Sequence, residues 1–584
     1  MLSSTHSQNG DETAPATTRP GAGGRSHATP LPTALAGAAL LGHRMLTKDL
    51  AFTDEERDAF GLRGLLPARV LTIEEQVELE LEHLRRKHDD LERYIGLTAL
   101  QDRNATLFYR LLAEHIEEFL PILYTPTVGR AAQEFSHIIR RTRGLWLTPP
   151  DIDRIPDLLR NAPYENVRLM VVTDNERILG LGDLGAGGMA IPLGKLALYT
   201  AAGGIDPSVT LPVSLDVGTD NQQLLDDPMY VGYRRHRLRG ADYLAFIDAF
   251  VAAVETVFPG CVIQWEDFKQ ASALAVLDRY RHRVPSFNDD VQGTAVVVLG
   301  GLLAAMRHLR HDLPHQRVLI VGAGGAGIGI ARLLELAMGR RDQYGPPHLA
   351  LADSRGLIHD GRDDLDPTKR AFAVTLDALP GTAVGEPIDL AASVSAFQPT
   401  VLVGATGVAG TFTESAVRAM AEQTSRPIIL PLSNPTSVAE ATPDDLLHWT
   451  DGRALVATGS PFEPVMRRGH RHVIGQANNV FVFPGLGLGA MVVGATAITD
   501  RMLLRAADVL ADHVSVARFS EGALYPPIRD LRVVSRAVAT AVATEAVKGR
   551  GARRPSMARL ARKIDAAIWW PEYRPYVAMP RPAR

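Results

Sequence analysis

The stretch Arg317-Val318-Leu319-Ile320-Val321-Gly322-Ala323-Gly324-Gly325-Ala326-Gly327 decides how this chain is read. A short apolar run predicts a buried strand from Arg317 to Val321. Glycines then stand at 322, 324 and 327, the G-x-G-x-x-G spacing, and Ile328 to Leu334 carries apolar residues at helical intervals. Strand, glycine turn and helix in that order let the backbone approach a pyrophosphate and aim helix N–H donors at it. A glycine-rich turn can be purely structural. Here the next strand candidate, His348 to Ala352, runs into Asp353, 26 residues past Gly327, where a carboxylate can accept ribose hydroxyls. Gly322, Gly324, Gly325, Ala326, Gly327 and Asp353 are therefore candidate dinucleotide contacts. Asp353 favours NAD by repelling a 2′-phosphate, whereas Ser354, Arg355, Lys369 and Arg370 could hold one, which makes NADP the alternative.

Strand candidates continue on both sides of this unit. Downstream lie Val401-Leu402-Val403 and Ile428-Ile429-Leu430; upstream lie Val167 to Thr173, Val209 to Ser214 and Cys261 to Trp265, separated by helical stretches. Such alternation predicts mostly parallel sheets. Thr72 to Glu118 reads as helix, opened by a capping Thr and an acidic first turn. A Pro-rich break at Leu147-Thr148-Pro149-Pro150 closes that region, and the chain is again mainly helical from about Asp500. The fold class expected is α/β: a Rossmann-like dinucleotide-binding domain and a second α/β substrate and metal domain, with helical N- and C-terminal segments. The boundaries expected are a disordered tail at 1–38, a helical segment at 39–142 and the substrate and metal domain at 143–288. The dinucleotide domain follows at 289–478, then a helical return at 479–550 and a tail at 551–584.

Composition narrows the function classes. At 584 residues the chain exceeds one hydrophobic core. Its 46% hydrophobic and 22% charged content is that of an ordinary globular protein, and a net charge of -4 gives no reason to expect nucleic acid or a polybasic membrane contact. Cys261 is the single cysteine, so no internal disulfide and no cysteine-rich metal site is expected. No stretch reaches the roughly 18 to 20 apolar residues that span a bilayer. Asp11 and Glu12 disfavour a targeting reading of the N-terminus, and the expected location is the cytoplasm.

Two acidic pairs stand upstream of the glycine turn. Glu266-Asp267 follows the strand ending at Trp265, and 23 residues later Asp289-Asp290 is followed by Val291-Gln292-Gly293-Thr294 and an apolar helix. Carboxylates without His or Cys suit Mg²⁺ or Mn²⁺. Taken alone, acidic pairs after strands are usually solvated loop ends or caps.

With these motifs in hand the chain resembles the malic enzyme family. The resemblance rests on Tyr124-Thr125-Pro126-Thr127-Val128-Gly129, Glu176 to Gly185, Ile191-Pro192-Leu193-Gly194-Lys195-Leu196 and Asp216-Val217-Gly218-Thr219-Asp220-Asn221. It includes the two acidic pairs, Ser433-Asn434-Pro435-Thr436 and Asn478-Asn479-Val480, and runs from about residue 42 to near 575. It implies oxidative decarboxylation of L-malate to pyruvate and CO₂ with reduction of NAD(P), and decarboxylation of oxaloacetate as a side activity. By the same resemblance Glu266, Asp267 and Asp290 ligate a divalent cation, Lys195 is the general base, Tyr124 the general acid and Asp289 a supporting carboxylate. Arg177, Asn434 and Asn478 hold substrate, and Arg177, Asp290 and Asn434 also border the cofactor. A lysine base is expected to have its pKa lowered by burial or a nearby cation. The family implies a homodimer or homotetramer, with Trp569, Trp570 and Tyr573 either an intersubunit contact or packed on their own chain. Some members bind an activating fumarate on two arginines; Arg103 matches one, Leu79 stands at the other, and Arg85 or Arg86 are the nearby alternatives. A malolactic enzyme, retaining NAD and releasing lactate, would share nearly every motif.

Overall fold

A computed structural model of the chain describes residues 29–339, 348–379, 389–548 and 555–579. Two sheets organise it. The first has five parallel strands: β1 (Leu145–Leu147), β2 (Leu169–Thr173), β3 (Thr210–Leu215), β4 (Val262–Trp265) and β5 (Ser286–Asn288), ordered β1-β3-β2-β4-β5. Every residue of β2, β4 and β5 is buried, which explains their largely apolar character, broken by Gln264 and Asn288: a parallel sheet covered on both faces has no solvent side to alternate toward.

The second sheet contains β6 (Val318–Val321), β7 (Leu349–Asp353), β8 (Gly356–Leu357), β9 (Val401–Gly404), β10 (Ile428–Pro431), β11 (Leu455–Thr458) and β12 (Gly475–Gln476). Their order is β12-β11-β10-β9-β6-β7-β8, parallel except for the β7–β8 hairpin. From β6 the chain moves to β7 on one side and later to β9 on the other. That reversal opens a crevice at the carboxyl end of β6, the place where such sheets bind ligands. The glycine turn sits there.

Helices fill the space around both sheets. Asp289–Leu309 is 21 residues long with mean hydropathy 1.3, so the expectation that nothing reaches bilayer length is corrected. Its most apolar window is 83% buried, against the helices Gly325–Met338 and Asp500–Asp512. A core helix needs such apolarity, at roughly 1.5–3 kcal/mol for each large side chain withdrawn from water.

The chain ends differ from expectation. Residues 1–28 lie outside the described residues. Leu31–Thr33, expected within a disordered tail, pairs in parallel with Tyr576–Ala578, and Gly37–Leu41 is helical. The expected C-terminal tail contains a helix over Met557–Ala567. The aromatic cluster packs on its own chain. Trp569 meets Tyr109 edge-on at 5.8 Å, Arg532 lies 4.6 Å over the Trp570 ring, and Tyr573 donates to Gln76 Oε1 at 3.0 Å. Arg103 is held by Glu80 at 2.6 Å and Asp49 at 3.3 Å, Arg85 by Glu118 at 2.7 Å, and Arg86 by Glu82; Leu79 is exposed.

Candidate active site

The carboxyl ends of β2, β4 and β5 lie side by side, and each feeds an acidic or basic turn into one cavity of about 240 Å³. After β4 come Glu266 and Asp267, buried at 1% and 4% exposure; after β5 come Asp289, fully buried, and Asp290. Glu266, Asp267 and Asp290 each offer an oxygen, all within 4.8 Å of one another. The Asp267 N–H donates to Asp290 Oδ2 at 2.8 Å, so the two turns brace each other. The turn after β2 is tied to the same point: Arg177 N–H donates to the Asp267 carbonyl at 3.1 Å, and Leu179 N–H to Asp267 Oδ1 at 3.2 Å. Asp267 adopts φ +55°, a left-handed conformation costing a non-glycine residue roughly 1–3 kcal/mol. Asp289 and Asp290 begin their helix with a wide π-type turn, the Thr294 N–H reaching the Asp289 carbonyl, a distortion common at functional sites.

Lys195 projects from the helix Ala190–Ala201 into this cluster at 1% exposure. Its Nζ hydrogen-bonds Asp289 Oδ2 and lies 3.0 Å from Glu266 Oε1. It is 5.1 Å from the centre of the Tyr124 ring and 4.6 Å from that of Phe483. Two buried carboxylates thus contact one buried ammonium, with Asp267 and the half-buried Asp290 close by.

The consequences are electrostatic. Burial pushes the Glu266, Asp267 and Asp290 carboxyls above the usual range; Lys195 opposes this at Glu266 and Asp290, while Asp290 repels Glu266 and Asp267, and Asp289 repels Asp290. Asp267 Oδ2 has no hydrogen-bond partner. A buried orphan oxygen within a like-charged set of hard donors fits a divalent cation. The Tyr124 phenol is pushed up by burial, with Lys195 opposing. Lys195 departs from expectation: burial lowers its pKa, but Asp289 and Glu266 outweigh burial and raise it well above the ordinary value. Asp289, expected as a supporting carboxylate, is thus the charge that most raises the lysine pKa.

The glycine turn lines the same cavity through Gly324, Gly325 and Ala326. Gly322 and Gly327 shape the turn. Gly322 has φ +109°, and a Cβ there would lie 2.3 Å from the Ala405 carbonyl oxygen; one at Gly327 would lie 1.9 Å from that of Gly322. Arg177, Asn434 and Asn478 line the cavity, Arg177 with an exposed side chain and Asn478 buried.

Asp353 sits apart, at the end of β7 and outside that lining. Arg362 grips it at 2.8 and 3.1 Å and Lys369 at 2.7 Å. Burial raises its pKa, yet these two cations win and hold the carboxyl below its usual range. Of the four residues expected to hold a phosphate, Lys369 is paired with Asp353, Arg355 with Asp364, and Arg370 donates to the Arg362 carbonyl.

Sequence reasoning missed three contributors. Asn479 donates to Asp289 Oδ2 at 3.2 Å and to Thr294 Oγ1 at 3.1 Å, linking the segment after β12 to the partner of Lys195. Gln264 donates to Glu266 Oε2 at 2.7 Å and accepts from the buried Tyr199 hydroxyl. Arg362 completes the Asp353 cluster. Asn479 stood inside a quoted motif; Gln264 carried only the hint of a polar residue in a buried strand.

Comparison with known proteins agrees with this arrangement. The family model for the malic enzyme N-terminal domain matches residues 101–281, and that for the malic enzyme NAD binding domain matches residues 291–547. The NAD-dependent malic enzyme of Aeromonas hydrophila is 48% identical over 551 residues, covering 94% of this chain and 98% of that protein. That of Vibrio campbellii is 46% identical with the same coverage. Among solved structures, the malic enzyme of Entamoeba histolytica superposes with TM-score 0.54 at 25% identity, covering 78% of this chain and 85% of that one. That of Pyrococcus horikoshii gives 0.52 at 25%, covering 77% and 89%.

Proposed function

The chain belongs to the malic enzyme family and carries out oxidative decarboxylation of L-malate to pyruvate and CO₂, and we propose that it does so with NAD and a divalent cation through the residues described above. The observation that carries the proposal is Lys195, buried between Asp289 and Glu266 beside Tyr124, at a cavity that the glycine turn also lines.

Mg²⁺ or Mn²⁺ held by Glu266, Asp267 and Asp290 would polarise the C2 oxygen and stabilise the charge developing there as CO₂ leaves. NAD at the glycine turn would accept the hydride from C2. The chain's own groups do the rest. Arg177 fixes a malate carboxylate by a charge-assisted contact, with Asn434 and Asn478 ordering the other side. Lys195 takes the proton of the C2 hydroxyl once it has lost its own, a loss that the surrounding acids oppose and that a cation on Glu266 and Asp290 would favour by offsetting their charge; Asp289 sets where its Nζ points. Tyr124 stays protonated because burial raises its pKa, so it is ready to protonate C3 after decarboxylation. The proposed division of labour draws Glu266, Asp267, Lys195 and Arg177 from residues 143–288 and Asp290, Asn434, Asn478 and the dinucleotide turn from residues 289–478, with Tyr124 supplied by the helical segment before both.

NAD is favoured over NADP. The relatives at 46–48% identity are named NAD-dependent, and Lys369 is engaged with Asp353. A homodimer or homotetramer in the cytoplasm is the proposed setting. The test is absorbance at 340 nm with L-malate and Mn²⁺, comparing NAD with NADP. Net NADH formation with NAD preferred is expected. Lactate without net reduction would mean a malolactic enzyme, and silence with both dinucleotides would overturn the proposal.

A further inference from the structure

Beside the loops that line the cavity lies a fully buried carboxylate, Glu440, whose partners among the described residues are neutral donors. Its Oε1 accepts from the Thr406 N–H and the Thr406 hydroxyl, each at 2.8 Å, and from the Ser433 hydroxyl; its Oε2 accepts from the Ser433 N–H at 3.2 Å. Ser433 Oγ in turn accepts from Gly407 N–H at 2.8 Å. Space for the carboxylate is made by the last residue of β9. A Cβ at Gly404 would lie 2.6 Å from Glu440 Cδ.

These donors belong to two different loops, 405–407 after β9 and 432–434 after β10. Ala405, Gly407, Ser433 and Asn434 all line the cavity. The Ala405 carbonyl also packs against Gly322 of the glycine turn. One side chain therefore pins the β9 loop, the β10 loop and, through Ala405, the edge of the pyrophosphate turn. Burying a charge with no counter-ion is costly, and a carboxylate is held there only by donors that match it.

We propose that Glu440 is a positioning residue for the reaction: its carboxylate locks the 405–407 and 432–434 loops together and so sets Asn434 and the dinucleotide wall against the substrate. The residue type follows from the geometry. Two backbone N–H groups, of Thr406 and Ser433, point at opposite oxygens and cannot reverse as hydroxyls can. Glutamine offers one acceptor, so its NH₂ would face the other N–H. Aspartate is a methylene too short. The proposal rests on the reading of Asn434 as a substrate contact.

The test compares Glu440→Gln with wild type by KM for malate and NAD, kcat, and Mn²⁺ affinity, all measured well below the thermal midpoint of each protein. Expected are KM values raised about tenfold, from one buried donor left unmatched, with Mn²⁺ affinity unchanged. Thr406→Val, which keeps the backbone donor and removes one hydroxyl, should raise the same constants by about threefold and supplies the answer if Glu440→Gln fails to fold. A lowered thermal midpoint with wild-type KM and kcat in both variants would reduce Glu440 to fold support and overturn the proposal. Asn434→Ala separates the two readings. Unaltered constants in Asn434→Ala with altered ones in Glu440→Gln would remove Asn434 as a contact while keeping Glu440 as the lock of the 405–407 wall. The reverse pattern would overturn Glu440.

Discussion

Lys195 and Asp353 each sit among opposite charges at a sheet's carboxyl edge, and the balance differs. Around Lys195, Asp289 and Glu266 contact one buried ammonium with Asp267 and Asp290 close by, and Glu266, Asp267 and Asp290 are pushed above their usual range. Around Asp353, Arg362 and Lys369 grip the carboxylate and draw its pKa down. The first cluster has an excess of acids over Lys195, which is what the proposed cation site requires. The second is paired with its own cations, which suits the proposed contact with a neutral ribose better than an added charge. Identical residue types thus differ in behaviour according to who stands beside them.

The comparison breaks most visibly at the base. Lys195→Ala should lower kcat for malate oxidation by about 1000-fold while NAD affinity, read by fluorescence titration, stays close to wild type. Loss of NAD binding with it would make Lys195 structural. Tyr124→Phe should cost about 100-fold in malate turnover and far less in reduction of supplied oxaloacetate; equal losses would remove Tyr124 as the acid. Asp289→Asn sharpens the electrostatic account. Asp289 is the largest charge raising the Lys195 pKa, so its removal lowers that pKa, and the rise of kcat/KM with pH should move to lower pH. A shift to higher pH would contradict the assignment. The smallest effect belongs to the closed cluster: Asp353→Ala should raise KM for NAD roughly threefold and leave kcat unchanged.

The sequence made some of this legible and hid the rest for physical reasons. The glycine turn could be read because its spacing is local and its context, strand before and helix after, is local too. The acidic pairs could be read as a pattern, but their excess over Lys195 could not, since it arises only when β4 and β5 pair. Asn479 and Asp289 are 190 positions apart, and nothing in either neighbourhood announces their contact. The chain ends were misread for a related reason. Residues 31–33 have tail-like composition, and their strand exists only through Tyr576–Ala578. The cation site itself rests on three oxygens within 4.8 Å that spacing alone could not have brought together.

Direct Mn²⁺ titration of the full-length protein, followed by the electron paramagnetic resonance of the free ion, tests this most squarely. Wild type should bind one Mn²⁺ per chain, and Asp290→Ala should weaken that site by more than about 100-fold while the protein stays folded. Equal affinity in the two proteins would contradict the account.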